Sequence, residues 1–370
     1  MIILKVRANN LYCFKNFEID FSYKKINSKS LIEYEYLENY SNIKFKKLNV
    51  FIGCNASGKT VFGKLLSDIL AFIENRDSKI INSIPVIEKE AMFSIDLIVK
   101  KEKYVLYRIE CKIENGIIKY MRIQSTNIVK KISYERLTEN FESIVNLEND
   151  ENEFLSTDMI KNLKNINLKT DALFCFKDEI ISGNKNIKYD INILNTVLKV
   201  FDNSIKEITE VEGTDNGYLI AFKHGTNLLI QNGRAVEGDI LSSGTKEGLS
   251  LAYIISEMKR NPNRIFYIDE KFSYIHTDIE TTILSIMIEL LGKEAQLFFT
   301  THNLDVLEMN IPNHSFTFFS RRDNEVKVIY PEKRIRNQND RYLRNKVEND
   351  FFETVPDYQP LYNLVENLDS

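Results

Sequence analysis

The sequence predicts an α/β fold on three observations. An apolar run at 48 to 52 ends in a glycine turn and opens onto a helical stripe, strands alternate through 92 to 123, and strand and helix patterns alternate from 265 to 300. The elements can be justified in order. Residues 1 to 7 alternate apolar and basic, FEIDF at 17 to 21 alternates again, and LNVFI at 48 to 52 has the unbroken apolar character of a strand buried on both faces. The segment 24 to 45 is polar and rich in Tyr and Asn, which predicts a surface insertion that leaves the sheet intact. From 59 to 75, apolar residues at 62, 65, 66, 69, 70 and 73 form one helical face, so the turn at 53 to 58 joins strand to helix. MFSIDLIV, YVLYRIECKI and GIIKYMRI then read as an antiparallel lobe, with Glu114-Asn115-Gly116 as a hairpin turn.

The charge sign flips beyond that lobe. Residues 100 to 131 hold nine Lys/Arg against three acids, whereas 135 to 158 hold eight acids against one Arg. The flip predicts a boundary into a helical insert at 126 to 205, with halves of one core at 1 to 125 and 206 to 370. Strands return at 217 to 230 and 265 to 268, followed by a helix at 277 to 291 and a strand at 296 to 300. The end of the chain, 340 to 370, is aromatic-rich around two prolines and reads as a segment that docks on the core or on a partner.

Composition narrows the function classes. With 43% hydrophobic residues the chain can close a sizeable core, and a net charge of -4 excludes a polycation built to coat nucleic acid. Any DNA contact must use a local patch. Cys13, Cys54, Cys111 and Cys175 are too scattered for a CxxC zinc site or a dense disulfide framework, which suits a reducing cytoplasm. The opening MIILKVRANN lacks the pattern of a signal peptide, and the apolar segment 281 to 292 is short and interrupted by Glu289, so no membrane span is expected.

Four motifs carry chemistry. Gly53, Cys54, Asn55, Ala56, Ser57, Gly58, Lys59 and Thr60 fit GxxxxGK[ST] between a buried strand and an amphipathic helix. The glycines let backbone N–H groups curl around phosphate oxygens, Lys59 adds a mobile cation, and the Thr60 hydroxyl suits Mg²⁺ bound to ATP. Ile265 to Ile268 form a buried strand ending in Asp269 and Glu270, which suits Asp269 to hold the metal and Glu270 to polarise an attacking water as general base. Ser242, Ser243 and Gly244 open a helical stripe; alone they are an ordinary helix cap, but such a turn also presents hydroxyls and free N–H groups to an anion. His302 follows the strand 296 to 300, where it can hydrogen-bond a γ-phosphate. The order of the four is what joins them into one reading.

That order resembles the ABC-type ATPase heads of the structural-maintenance-of-chromosomes, RecF and OLD (overcoming lysogenization defect) families. The chain is most similar to compact OLD-like AAA-family ATPases of bacterial phage-defence and abortive-infection loci. The residues that carry the likeness are FIGCNASGKT at 51 to 60, LSSGTKEG at 241 to 248, YIDEKFSYIHTDIE at 267 to 280, LFFTTHNLDVLEM at 297 to 309 and LYCFKNFEIDFS at 11 to 22. The resemblance implies an ABC-type P-loop ATPase core with an antiparallel β lobe and a helical insert, in which Ser242 and Gly244 complete the site of another subunit. ATP is then sandwiched in a homodimer or a higher homo-oligomer. It further implies Mg²⁺ and general-base roles for Asp269 and Glu270 and a switch role for His302. His276 stands in the group's Leu-His-Pro turn, with Thr277 in place of the proline. Two departures bear on turnover: Gln124 is the candidate for the glutamine that senses Mg²⁺, and Lys271 follows the Asp-Glu pair where proline is frequent, which adds a cation near the metal.

Two functions compete. One is a cytoplasmic ATPase switch of slow turnover in an antiviral system, controlling a separate effector protein, a nuclease or toxin, because no nuclease motif of its own follows His302. The other is a DNA-repair or recombination ATPase, for which the basic stretches 100 to 131 and 321 to 346 are candidate phosphate contacts. A transporter subunit fits poorly, given the long insertion between Lys59 and Ser242, and 126 to 205 has no heptads for a coiled-coil arm.

Overall fold

The computed structural model describes residues 1–23, 32–149, 153–177, 187–236, 241–272, 275–323, 325–335 and 343–354. In chain order the strands and helices begin with β1 (Ile2–Asn9), β2 (Phe17–Asp20), β3 (Tyr36–Leu37), β4 (Tyr40–Lys44), β5 (Leu48–Ile52) and α1 (Lys59–Asn75). There follow β6 (Ala91–Lys100), β7 (Tyr104–Glu114), β8 (Ile117–Asn127), α2 (Tyr134–Glu139), β9 (Glu142–Glu148), α3 (Thr157–Ile166), β10 (Ala172–Cys175) and α4 (Ile191–Phe201). The remainder comprises β11 (Ile205–Glu210), β12 (Gly217–Phe222), β13 (Asn227–Gln231), β14 (Arg234–Ala235), α5 (Ser243–Arg260), β15 (Ile265–Asp269), α6 (Thr277–Leu290), β16 (Gln296–Thr301), β17 (Phe316–Arg322), β18 (Glu325–Ile329), α7 (Pro331–Arg334) and α8 (Leu343–Glu348).

Two six-stranded sheets dominate. One is antiparallel, in the order β2-β1-β6-β7-β8-β9; the other runs β10-β15-β16-β5-β17-β18 and is parallel except for the β17–β18 hairpin. A four-stranded meander, β11 to β14, and the β3–β4 ribbon complete the sheets. All five residues of β5 are buried, and they alternate between two cores. Leu48, Val50 and Ile52 face the core that holds α4, α5, α6 and the meander, while Phe51 faces the one shared with α1 and the antiparallel sheet. Such two-sided burial is what an unbroken apolar strand in a parallel sheet requires. The buried amide of Gln296 ties the sheets together, accepting from Ile3 N at 2.6 Å and donating to Ile3 O at 2.9 Å.

The segment 126 to 205 differs from a purely helical insert. It holds α2, α3 and α4, but also β9, which extends the antiparallel sheet beyond β8, and β10, which pairs with β15. The acidic composition hid β9 because the strand lies at an edge and buries only Val145 fully. Within 24 to 45, residues 24 to 31 lie outside the described part; the rest is no loose surface loop, since Leu37, Ile43 and Phe45 are buried against Ile2, Leu4 and Leu106. Of the aromatic end segment, Phe352 stacks on Phe318 at 4.1 Å between ring centroids, and residues 355 to 370 lie outside the described part.

Candidate functional site

Because β10, β15, β16 and β5 run parallel and in register, their carboxyl ends share one edge. Cys175 pairs with Ile268, Asp269 with Thr300, and Thr301 with Ile52. The segments that leave these ends begin at Phe176, Glu270, His302 and Gly53, so the fold gathers them outside the strand ends, where open α/β sheets place their ligand crevices.

The 53 to 60 turn is shaped by close approach and by backbone handedness. A Cβ on Gly53 would lie 2.3 Å from the Phe319 carbonyl oxygen, and Gly58 has φ +107°. Either position therefore resists a side chain. Gly58 caps α1 without a side-chain hydrogen bond, and no acid occupies the first turn, so the helix start offers N–H groups and a positive dipole end to an external anion. The Ser57 hydroxyl is buried without a hydrogen-bond partner. Lys59 donates to Gly53 O at 2.7 Å and Cys54 O at 3.1 Å, which folds its side chain back over the turn. The fully buried Tyr267 donates to Lys59 O at 2.7 Å and fixes the first turn of α1 on β15.

Asp269 is buried and accepts from Thr300 Oγ1 at 2.8 Å. Burial raises its pKa above the ordinary aspartate value, opposed by the side chains of Thr300 and Thr60 and by the charge of Lys59. Glu270 adopts φ 44°, in the left-handed region, and its N–H donates to Thr300 Oγ1 at 2.9 Å. Such a backbone conformation is uncommon for a residue other than glycine. Oε1 of Glu270 lies 2.6 Å from His302 Nε2 and 3.3 Å from Lys59 Nζ, and Oε2 lies 3.7 Å from Lys177 Nζ. Burial would raise the Glu270 pKa, but the hydrogen bond from His302 and the charge of Lys59 outweigh it and bring it down to about 2. Burial likewise lowers the Lys59 pKa, with Glu270 opposing.

The predicted residues Lys59, Thr60, Asp269, Glu270 and His302 thus meet at one place. His302 is held from both sides of the chain: Thr301 donates to the buried Glu280 at 2.6 Å, and Asn303 N donates to Thr301 Oγ1 at 2.9 Å. Ser242 lies elsewhere, as the N-cap of α5, accepting from Thr245 N at 3.1 Å. Ser242 and Ser243 are exposed, and a Cβ on Gly244 would meet nothing nearer than 3.9 Å. Among the described residues no hydrogen bond or ion pair joins Ser242, Ser243 or Gly244 to the 53 to 60 turn of the same chain.

Three other residues singled out in the sequence lie as follows. Gln124 sits within β8, paired across the sheet with Arg108 and Ser143, and no hydrogen bond links it to the site among the described residues. Lys271 is buried and donates to Lys177 O at 3.2 Å. His276 caps α6, accepting from Asp278 N at 3.3 Å, which is a local structural role. Sequence reasoning passed over Lys177, Tyr267, Thr300 and Glu280. Only Thr300 carried a local signal, as the last residue of an apolar strand one place before the Thr-His-Asn turn.

The donor set fits a nucleotide triphosphate with a divalent metal. A glycine cradle that a Cβ would obstruct, an ammonium bonded to two carbonyls and a carboxylate, and a buried hydroxyl without a partner among the described residues form the anion side. Thr60 and Asp269 supply hard oxygen ligands of the type Mg²⁺ prefers. Bound there, the metal would neutralise phosphate charge.

No curated protein matches the chain. Solved structures similar in part include an SMC head bound to the C-winged helix domain of ScpA, at 14% identity and TM-score 0.49, covering 90% of this chain and 100% of that one. An SMC head domain from Thermotoga maritima matches at 13% identity and TM-score 0.42, over 89% of this chain and 99% of that one. The recombination mediator RecF with ATP matches at 13% identity and TM-score 0.43, over 89% and 97%. The family model described as "AAA domain, putative AbiEii toxin, Type IV TA system" matches residues 48–309, from the strand before the glycine cradle to the segment after His302. The chain therefore belongs to that AAA-domain family.

Proposed function

We propose that this protein is an ATP-driven switch of an antiviral system, one that closes as a homodimer around Mg-ATP and controls a separate effector in the cytoplasm. The observation that carries the ATPase part is the convergence of Lys59 and His302 on one carboxylate, Glu270, beside the buried Asp269. In that arrangement Gly53 to Thr60 bind the phosphates, with Asn55 and Ala56 at the tip of the turn. Thr60 and Asp269 hold the metal. Glu270 takes the proton of the attacking water, and His302 reads the γ-phosphate. Lys59 reaches the phosphates by leaving Glu270, which frees the carboxylate for water.

The exposed Ser242 and Ser243 and the half-buried Gly244 at the start of α5 support a site completed by a second copy. The family's description as a putative toxin of a toxin–antitoxin system supports a defence role with a protein partner. Among the described residues no helix is long and apolar enough to cross a membrane.

The test is Glu270→Gln. It should retain ATP, lower turnover by roughly 100-fold or more, as loss of a general base does, and accumulate ATP-dependent dimers in light scattering. Wild-type hydrolysis by this variant would refute the assignment of the base.

A second reading, DNA binding in repair, draws on exposed Lys101, Lys103, Lys130 and Lys131, which the β7–β8 pairing of Val105 with Asn127 brings to one end of the antiparallel sheet. Duplex affinity that falls steeply with salt would favour it.

A further inference from the structure

We infer that Lys177 is a positioning residue for Glu270, holding the carboxylate in place when Lys59 and His302 turn to the triphosphate. The inference rests on the reading of Glu270 as the base. Both groups at Oε1 of Glu270, His302 Nε2 at 2.6 Å and Lys59 Nζ at 3.3 Å, have a second task at the phosphates. Among the described residues, the group at Oε2 is Lys177 Nζ, 3.7 Å away, an ammonium on a different strand end. When nucleotide draws Lys59 away, the Oε2 contact is the one that keeps the carboxylate from swinging out of line. At this distance Lys177 acts through charge and reach, and a modest closure would make it a direct hydrogen bond.

The location of Lys177 is built into the fold. It follows β10, whose Cys175 pairs with Ile268 one residue before Asp269. Its backbone is then anchored a second time: Lys271, the residue after Glu270, donates to Lys177 O at 3.2 Å and approaches Phe176 O at 3.5 Å. Lys271 is only 4% exposed, and its donation to Lys177 O holds this segment in place. The chain therefore links Glu270 to its neighbour strand twice, once through the Lys177 side chain and once through Lys271 to the Lys177 backbone. Glu247 of α5 completes the surroundings. Its Oε2 is buried without a hydrogen-bond partner, and Lys271 and Lys177 are the cations that act on it. The helix that carries Ser242 at its start thus adjoins the same pair of lysines.

The experiment compares wild type with Lys177→Met, Lys177→Arg, Glu270→Gln and the double variant Glu270→Gln/Lys177→Met in steady-state ATP hydrolysis. Affinity is measured separately with a fluorescent ATP analogue. Lys177→Met should lower kcat by about 10- to 100-fold, the range of a mispositioned catalytic group, while affinity changes by less than about threefold. Lys177→Arg should restore most of the rate, which a variant that merely perturbs folding would not do. In the Glu270→Gln background the second substitution should add nothing, because Lys177 acts through the carboxylate.

Unchanged kcat in Lys177→Met, or affinity falling in step with kcat, would overturn the inference, as would an additive loss in the double variant. If Glu270→Gln itself turns over at the wild-type rate, the reading of the base has failed. If Glu270→Gln is inactive while Lys177→Met is normal, only the role of Lys177 has failed.

Discussion

At the scale of single residues, Lys59 is the clearest case of a side chain held ready. Its ammonium is buried, and burial costs a charge heavily unless partners replace water. The partners are two carbonyls of the turn it will serve and the carboxylate of Glu270. Lys59→Ala removes the cation while leaving Glu270 to His302 and Lys177, so the fold should survive. Mg-ATP affinity should drop by at least about 100-fold, some 2.7 kcal/mol, reflecting the lost charge-assisted contact. A titration with a fluorescent ATP analogue, paired with a thermal melt without nucleotide, separates the two effects. Wild-type affinity in the variant would remove Lys59 from the binding site.

At the scale of elements, the start of β5 is braced by an ion pair that spans nearly the whole chain. Lys46 Nζ lies 2.9 Å from Glu332 Oε1 on α7 and 4.5 Å from the centre of the Tyr330 ring, and the lysine is 1% exposed. Breaking such a pair from one side leaves an uncompensated buried charge, whereas replacing both members with apolar groups is often tolerated. Lys46→Met should therefore destabilise by about 3–5 kcal/mol, and adding Glu332→Leu should recover most of that loss. Urea unfolding of the three proteins decides the matter, and a neutral single variant would show that the pair contributes nothing.

The same elements explain what could be read from the sequence. β5, its glycine turn and α1 were legible because each signal is local: an apolar run, a turn, and a stripe with helical spacing. Asp269, Glu270 and His302 were legible because each follows an apolar strand directly. β10 was not, since ALFC is only four residues long and its place beside β15 is set by tertiary pairing, so Lys177 went unseen with it. β17 and β18 were missed although FTFFSRR and EVKVI are strand-like, and with them went Phe319, whose carbonyl confines Gly53.

At the scale of the whole molecule, the two cores divide the labour. The one shared by α1 and the antiparallel sheet anchors the glycine cradle, and the one beneath α5 and the meander carries the serine-tipped helix. Gly248 lets α5 press onto α4, where a Cβ would lie 2.8 Å from Leu198, so the helix is firmly seated while its first residues stay exposed. A helix start that is firmly seated, exposed at Ser242 and Ser243 and, among the described residues, not bonded to the chain's own cradle is suited to a second copy. Ser243→Arg tests this without disturbing the cap, because Ser242 is the residue that bonds Thr245. The substitution adds bulk and charge at the face that would close on the partner's nucleotide. The isolated chain should bind the fluorescent ATP analogue within about twofold of wild type, while hydrolysis should fall by about 10-fold or more, as expected when a transition-state contact is lost. In the Glu270→Gln background, where ATP should trap the closed form, Ser243→Arg should abolish the dimer seen by light scattering. A double variant that dimerises as readily as Glu270→Gln alone would mean that the serine-tipped helix takes no part in the shared site.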